Sequence, residues 1–152
     1  MSAGMDRRHR RLWALAGFSL ATGCVSATQD YRRVEISGVV SVDDDAPGPV
    51  TVEVHHAWVG EGALRYPMDF IAAFSQDGPG AYQLTVDVPT DPGAEGLALY
   101  AWQDRDGDGV LCGLDGAVEP AGVAEAEGWP AYALTVDIDL DTDCAGPEAL
   151  YP

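Results

Sequence analysis

The chain has 152 residues, enough for one domain with a modest core; 47% are apolar and 18 are glycine, a balance that suits a compact, turn-rich protein and argues against disorder. The formal net charge is −17, there is no lysine, and four of the eight arginines (Arg7, Arg8, Arg10, Arg11) lie within the first eleven residues. Beyond residue 23, four arginines face 24 acids, a net charge of −20, which argues against nucleic acid or anionic lipid as a partner and favours cations.

Residues 1–11 carry the basic flank of a secretory signal, and Leu12 to Leu20 form its apolar run, too short for a permanent membrane span. The run ends in Leu20-Ala21-Thr22-Gly23-Cys24. Small residues before a cysteine resemble the lipobox of bacterial lipoproteins, with Ala21 where leucine is commoner. That resemblance implies removal of residues 1–23, lipidation of Cys24 and a membrane partner reached through that anchor. Val25 follows Cys24, so the resemblance implies the outer membrane of a bacterial envelope. The competing reading is an ordinary signal peptide cleaved near Ala27, with Cys24 lost. Residues 24–33 then read as a lipidated tether, and 34–152 as one domain.

Within that domain the chain reads as strands. Val34 to Val42 is β-branched and bounded by turn signals, and Asp43-Asp44-Asp45-Ala46-Pro47-Gly48-Pro49 is an acidic turn. Val50 to Val59 alternates cleanly. His55 and His56 are neighbours on that strand, so one is expected packed and the other exposed. Residues 60–67 read as a loop, Met68 to Phe74 as a strand, Gln76 to Gly80 as a turn and Ala81 to Val88 as a strand. Leu97 to Trp102 is the strand that feeds the segment described next. Residues 116–130 read as loop, with a helical turn around Val123 to Glu127. The last strand runs from Ala131 to Leu140. No stretch of the mature chain keeps a helical period over a dozen residues. The expected fold is all-β: a single antiparallel β-sandwich of six to seven strands.

Residues 104–115, Asp-Arg-Asp-Gly-Asp-Gly-Val-Leu-Cys-Gly-Leu-Asp, place acids at positions 1, 3, 5 and 12 of a twelve-residue loop, with glycine at 6. This is the layout of an EF-hand calcium loop. Calcium takes six to eight oxygens, and alternate carboxylates on a curled segment converge on one point. The candidate ligands are Asp104, Asp106, Asp108 and Asp115 with the carbonyl of Val110; Glu119 is a supplementary candidate. Asp115 is shorter than the usual glutamate at position 12, so weak binding is expected. A strand enters the loop and Gly116 follows it, so the site is a calcium loop grafted between β elements. The bland alternative is an Asp-Gly turn that binds nothing.

If Cys24 carries lipid, Cys112 and Cys144 remain, and in an oxidising compartment the simplest expectation is a disulfide between them. Two free thiols are the alternative. Asp137, Asp139, Asp141 and Asp143 share one face of the last strand, either a solvated face or a second cation site. Trp58, Trp102 and Trp129 are core residues or a platform for sugars. There is no Gly-x-Ser-x-Gly motif and no lysine, and nothing singles out a carboxylate pair, so no catalytic residue is assigned and no enzyme is expected.

The segments Ile36-Ser37-Gly38-Val39-Val40, Val50 to Val54 and Gly80-Ala81-Tyr82-Gln83-Leu84-Thr85-Val86 resemble the carboxypeptidase-regulatory or transthyretin-like sandwich over residues 34–103. That resemblance implies a structural or binding unit. The expected function is an envelope-anchored, calcium-stabilised, non-enzymatic structural or interaction module, whose partner, an envelope protein or a glycan, the sequence does not name. The alternative is a carbohydrate- or ligand-binding module using the tryptophans.

Overall fold

A computed structural model describes residues 29–60, 63–90, 96–114 and 116–151, without the side chains of residues 58–60 and 63–67. Cys24 and the leader lie outside the described residues, as does Asp115. The chain forms the expected all-β sandwich, built from two sheets. One holds β1 (Tyr31–Val42), β4 (Gly80–Pro89), β7 (Ala133–Thr135) and β8 (Ile138–Leu140). The other runs in the order β3 (Ala63–Gln76), β2 (Val50–Gly60), β5 (Gly96–Gln103), β6 (Pro120–Glu125) and β9 (Thr142–Asp143). A four-residue helix, α1 (Pro147–Leu150), follows. Among the described residues no helix is long and apolar enough to cross a membrane.

Alternation in sequence becomes the inter-sheet core. Val34, Ile36 and Val40 of β1, Val50, Val52 and Val54 of β2, and Leu97, Leu99 and Ala101 of β5 pack with Val86, Val88, Leu134, Ile138 and Leu140. Every residue of β5 is buried, because the outer face of its sheet is covered too. There Ala57 and Ala98 pack with Tyr151, and Tyr100, Trp102 and Ala121 pack with Leu111 and Leu150. The C-terminal segment is therefore a strap over the second face.

Cover on both faces of β2 explains the histidines. Both His55 and His56 are 5% exposed, where one was expected in solvent. Opposite faces of β2 are both covered, and register shifts between Val54 and His55 and between His56 and Trp58 break the simple alternation. His55 Nε2 lies 2.9 Å from Glu53 and its ring meets the Phe70 ring edge-on. His56 stands beside Trp129.

Several expected elements take other forms. β1 begins at Tyr31, so the last three residues assigned to the tether belong to the sheet. β3 begins at Ala63, where a loop to residue 67 was expected, because β2 and β3 pair as one long hairpin. Residues 120–125 form β6 in place of a loop and helical turn, since the open edge of β5 needs a partner for its backbone. The last strand is split into β7 and β8, and both run parallel to β1, so this sheet is mixed rather than antiparallel throughout.

The split has a local cause at Gly38 and Tyr82, which are paired across β1 and β4. A Cβ at Gly38 would collide with the Val136 carbonyl. The carbonyl sits there because the Tyr82 hydroxyl donates to it at 2.6 Å, and the Val39 N–H next along donates to Asp137 Oδ1 at 2.9 Å. Burial first, and the charge of Asp137 second, hold the Tyr82 hydroxyl protonated well above the ordinary tyrosine range.

Candidate metal centre

The loop after β5 is bent by two glycines. Gly107 and Gly109 have φ of 80° and 76°, a region that costs a side chain but not glycine. The bend turns their N–H groups inward onto Asp104. Gly107 N–H donates to Oδ1 at 2.7 Å and Gly109 N–H to Oδ2 at 3.0 Å. Asp106 and Asp108 accept from the N–H groups two residues on, those of Asp108 and Val110, at 3.1 and 2.7 Å. These Asx-type bonds fix each carboxylate by its own backbone.

The result is convergence. Asp104, Asp106 and Asp108 each offer an oxygen such that all lie within 4.8 Å of one another. Two oxygens on one calcium ion stand at most about 5 Å apart, twice the 2.3–2.6 Å bond. The separation and the all-oxygen donor set therefore fit a hard divalent cation, and such a cation relieves the repulsion among three carboxylates. Asp104 is buried, while Asp106 and Asp108 are exposed, so the group opens to solvent. Val110 is 57% exposed and its N–H is bonded to Asp108. Asp115, the expected closing ligand, lies outside the described residues.

Glu119 takes a different place from the one expected. It is fully buried, and its carboxylate accepts from Arg105 N–H at 2.9 Å and from Cys112 N–H at 2.6 Å. It braces the loop from beneath, joining the second residue to the ninth. No spacing in the sequence marks this role, because the brace closes through space. Arg105 turns the other way: its Nη2 donates to both carboxylate oxygens of Asp44, at 2.9 and 3.0 Å, and its Nε–H donates to Gln103 at 3.3 Å. One acid of the β1–β2 turn is thus engaged with arginine.

Cys112 and Cys144 form the expected disulfide. It joins the loop to the strap, and Cys144 N–H also donates to the Glu119 carbonyl at 2.8 Å. Asp137 and Asp139 are exposed, but Asp137 serves β1 as described and Asp139 is bonded to the Ser41 hydroxyl. Among the described residues the acids of 137–143 do not converge as the triad does. Trp102 is 9% exposed within the outer-face cluster, and Trp129 is half-buried against the core. The side chain of Trp58 lies outside the described residues.

No protein-family model matches the chain, and no curated protein does. Among solved structures it is similar to an alternative pilotin from the type II secretion system of Vibrio cholerae, at 14% identity and a TM-score of 0.44 over 76% of this chain and all of that one. It is also similar to a candidate cell adhesion protein from Bacteroides eggerthii, at 11% identity and a TM-score of 0.41 over 73% of this chain and 40% of that one. This chain thus spans less than half the length of the second protein. At these scores neither likeness bears on function.

Proposed function

We propose that this protein is a calcium-stabilised, non-enzymatic structural or interaction module, anchored in a bacterial envelope through lipid on Cys24. In this reading residues 1–23 are removed, the residues after Cys24 are a tether, and the sandwich is the working part. The observation that carries the calcium reading is the convergence of Asp104, Asp106 and Asp108 within 4.8 Å on a bend whose N–H groups already hold Asp104. Asp115 and the Val110 carbonyl complete the proposed shell. The oxygens come from one short exposed loop, which suits the weak affinity of extracellular modules, about 10⁻⁴–10⁻³ M. The role is structural: the ion stiffens a loop that is tied by Cys112 to the strap.

The non-enzymatic reading draws support from the hydroxyl side chains. Ser41 is bonded to Asp139, and Thr51 and Ser75 to each other, rather than to a histidine as an activated nucleophile requires. Among the described residues Trp102 is buried and Trp129 half-buried, so neither offers the fully exposed tryptophan that the sugar-binding alternative uses.

The test is a thermal melt of the oxidised protein in calcium and in chelator. A ligand selective for the folded state stabilises by RT ln(1 + [L]/Kd), about 0.6–1.8 kcal/mol at about 2 mM calcium for the affinities above. A rise of a few degrees in midpoint is expected, and Asp106→Ala should abolish it. Superimposed melts would reduce the loop to an acidic turn.

A further inference from the structure

The two ends of the sandwich differ in charge. One end gathers the Asp43–Asp45 turn, Asp77, the triad, Asp139, Asp141 and Asp143. Arg105 is the single arginine there among the described residues, and it is paired with Asp44. The other end is where β1 begins, and Arg32, Arg33 and Arg65 all lie on strands near it.

That second end carries an aromatic group with a cation inside it. The Arg32 guanidinium lies 5.6 Å from the centre of the Trp129 ring and 5.2 Å from that of Tyr132. Tyr132 is 73% exposed and neighbouring Tyr31 62%. Arg33 is bonded to Asp87 on the next strand. Acids are present here as well, Asp30, Asp87 and Glu127 among the described residues. The end is therefore not basic, and an anionic surface is not its match. Tryptophan, tyrosine and arginine share another property. Each has an apolar body and a polar tip, the combination that collects at the boundary between acyl chains and water.

The chain itself says what this surface faces. Tyr31 is seven residues from Cys24, a span of at most about 25 Å even fully extended. We propose that this end rests on the bilayer that holds Cys24. Tyr31, Trp129 and Tyr132 lie at headgroup level and Arg32 meets a lipid phosphate. The proposal rests on the lipidation of Cys24 put forward above. It fixes the orientation of the module. β1 has twelve residues, about 40 Å at 3.3 Å each, so the acidic end stands several Debye lengths of about 8 Å from the surface. The calcium loop then points away from the membrane, and its ion does not bridge to lipid.

The experiment uses the full chain, processed in a bacterial envelope and purified with its modification. It is reconstituted into phosphatidylcholine vesicles whose acyl chains are brominated close to the glycerol. A Trp58→Phe background leaves Trp129 at the surface end and buried Trp102 at the acidic end as emitters. Bromolipid is expected to quench part of the emission, and Trp129→Phe to remove that loss. A triple variant, Tyr31→Ser, Arg32→Ser and Tyr132→Ser, at exposed or half-exposed positions, should reduce the quenching while its melting midpoint stays close to that of the parent. Mass spectrometry on the same sample separates the failures. Acyl mass on Cys24 without quenching overturns the surface and leaves the anchor standing, with the aromatic group free for a protein partner. Absence of acyl mass overturns the anchor and this proposal together. Quenching that the triple variant does not change overturns the role of those residues.

Discussion

Glu119 shows how much the loop of the Asp104, Asp106 and Asp108 carboxylates depends on a residue outside that group. Its two oxygens serve the N–H groups of Arg105 and Cys112, and its backbone serves Cys144. Glu119→Gln keeps the volume but offers one acceptor, and its NH2 group faces an N–H. Leaving one buried donor unpaired costs about 1–3 kcal/mol. The expected outcome is an unfolding free energy in urea lower by that amount, together with a smaller calcium shift than the parent shows. A variant of unchanged stability would mean that water replaces the brace. Asp106 behaves differently: it is exposed, and its loss should be felt only when calcium is present.

At the scale of elements, the strap formed by β9, α1 and Tyr151 decides what the second sheet looks like. Without it Tyr100, Trp102 and Ala121 would face water. It is held by the Tyr100 hydroxyl donating to the Ala145 carbonyl at 3.0 Å, by the Tyr151 hydroxyl bonded to Glu125 at 2.6 Å, and by the disulfide. The disulfide closes a separation of 32 residues, worth roughly 3–4 kcal/mol in the chain-entropy model. The double variant Cys112→Ala, Cys144→Ala should lose most of that in a denaturant titration. Its tryptophan emission should also move to longer wavelength, as the strap lifts from Trp102. Loss of stability without the spectral shift would place the whole effect in the unfolded chain.

The whole molecule carries a charge of −20 beyond residue 23, most densely at the end that bears the loop. Self-repulsion of this size destabilises the compact state and is relieved by any salt. Two effects of cations must therefore be separated. Raising sodium chloride from about 10 to about 150 mM shortens the screening length from about 30 to about 8 Å. That change should lift the melting midpoint of the parent and of Asp106→Ala alike. Adding about 2 mM calcium on top of the higher salt should lift only the parent. Equal calcium shifts in calorimetry would make the ion a diffuse counterion and not a ligand of the loop.

By itself the sequence pointed to the all-β sandwich, the twelve-residue acidic spacing and, with two free thiols as the alternative, the pairing of Cys112 with Cys144. Each follows from local pattern: period-two alternation, a twelve-residue register, or the two cysteines left once Cys24 is set aside. Tertiary structure alone decided the rest. β6 is Pro-Ala-Gly-Val-Ala-Glu, too poor in branched and aromatic residues to read as a strand; it is one because the edge of β5 lies beside it. The strap buries Trp102 by covering a face that alternation marks as outer. Glu119 reads as a supplementary ligand until the fold brings the N–H groups of Arg105 and Cys112 to it. Neighbours along the chain set the pattern of a strand, but which polar groups and which faces lose their water is fixed only when distant segments close over them.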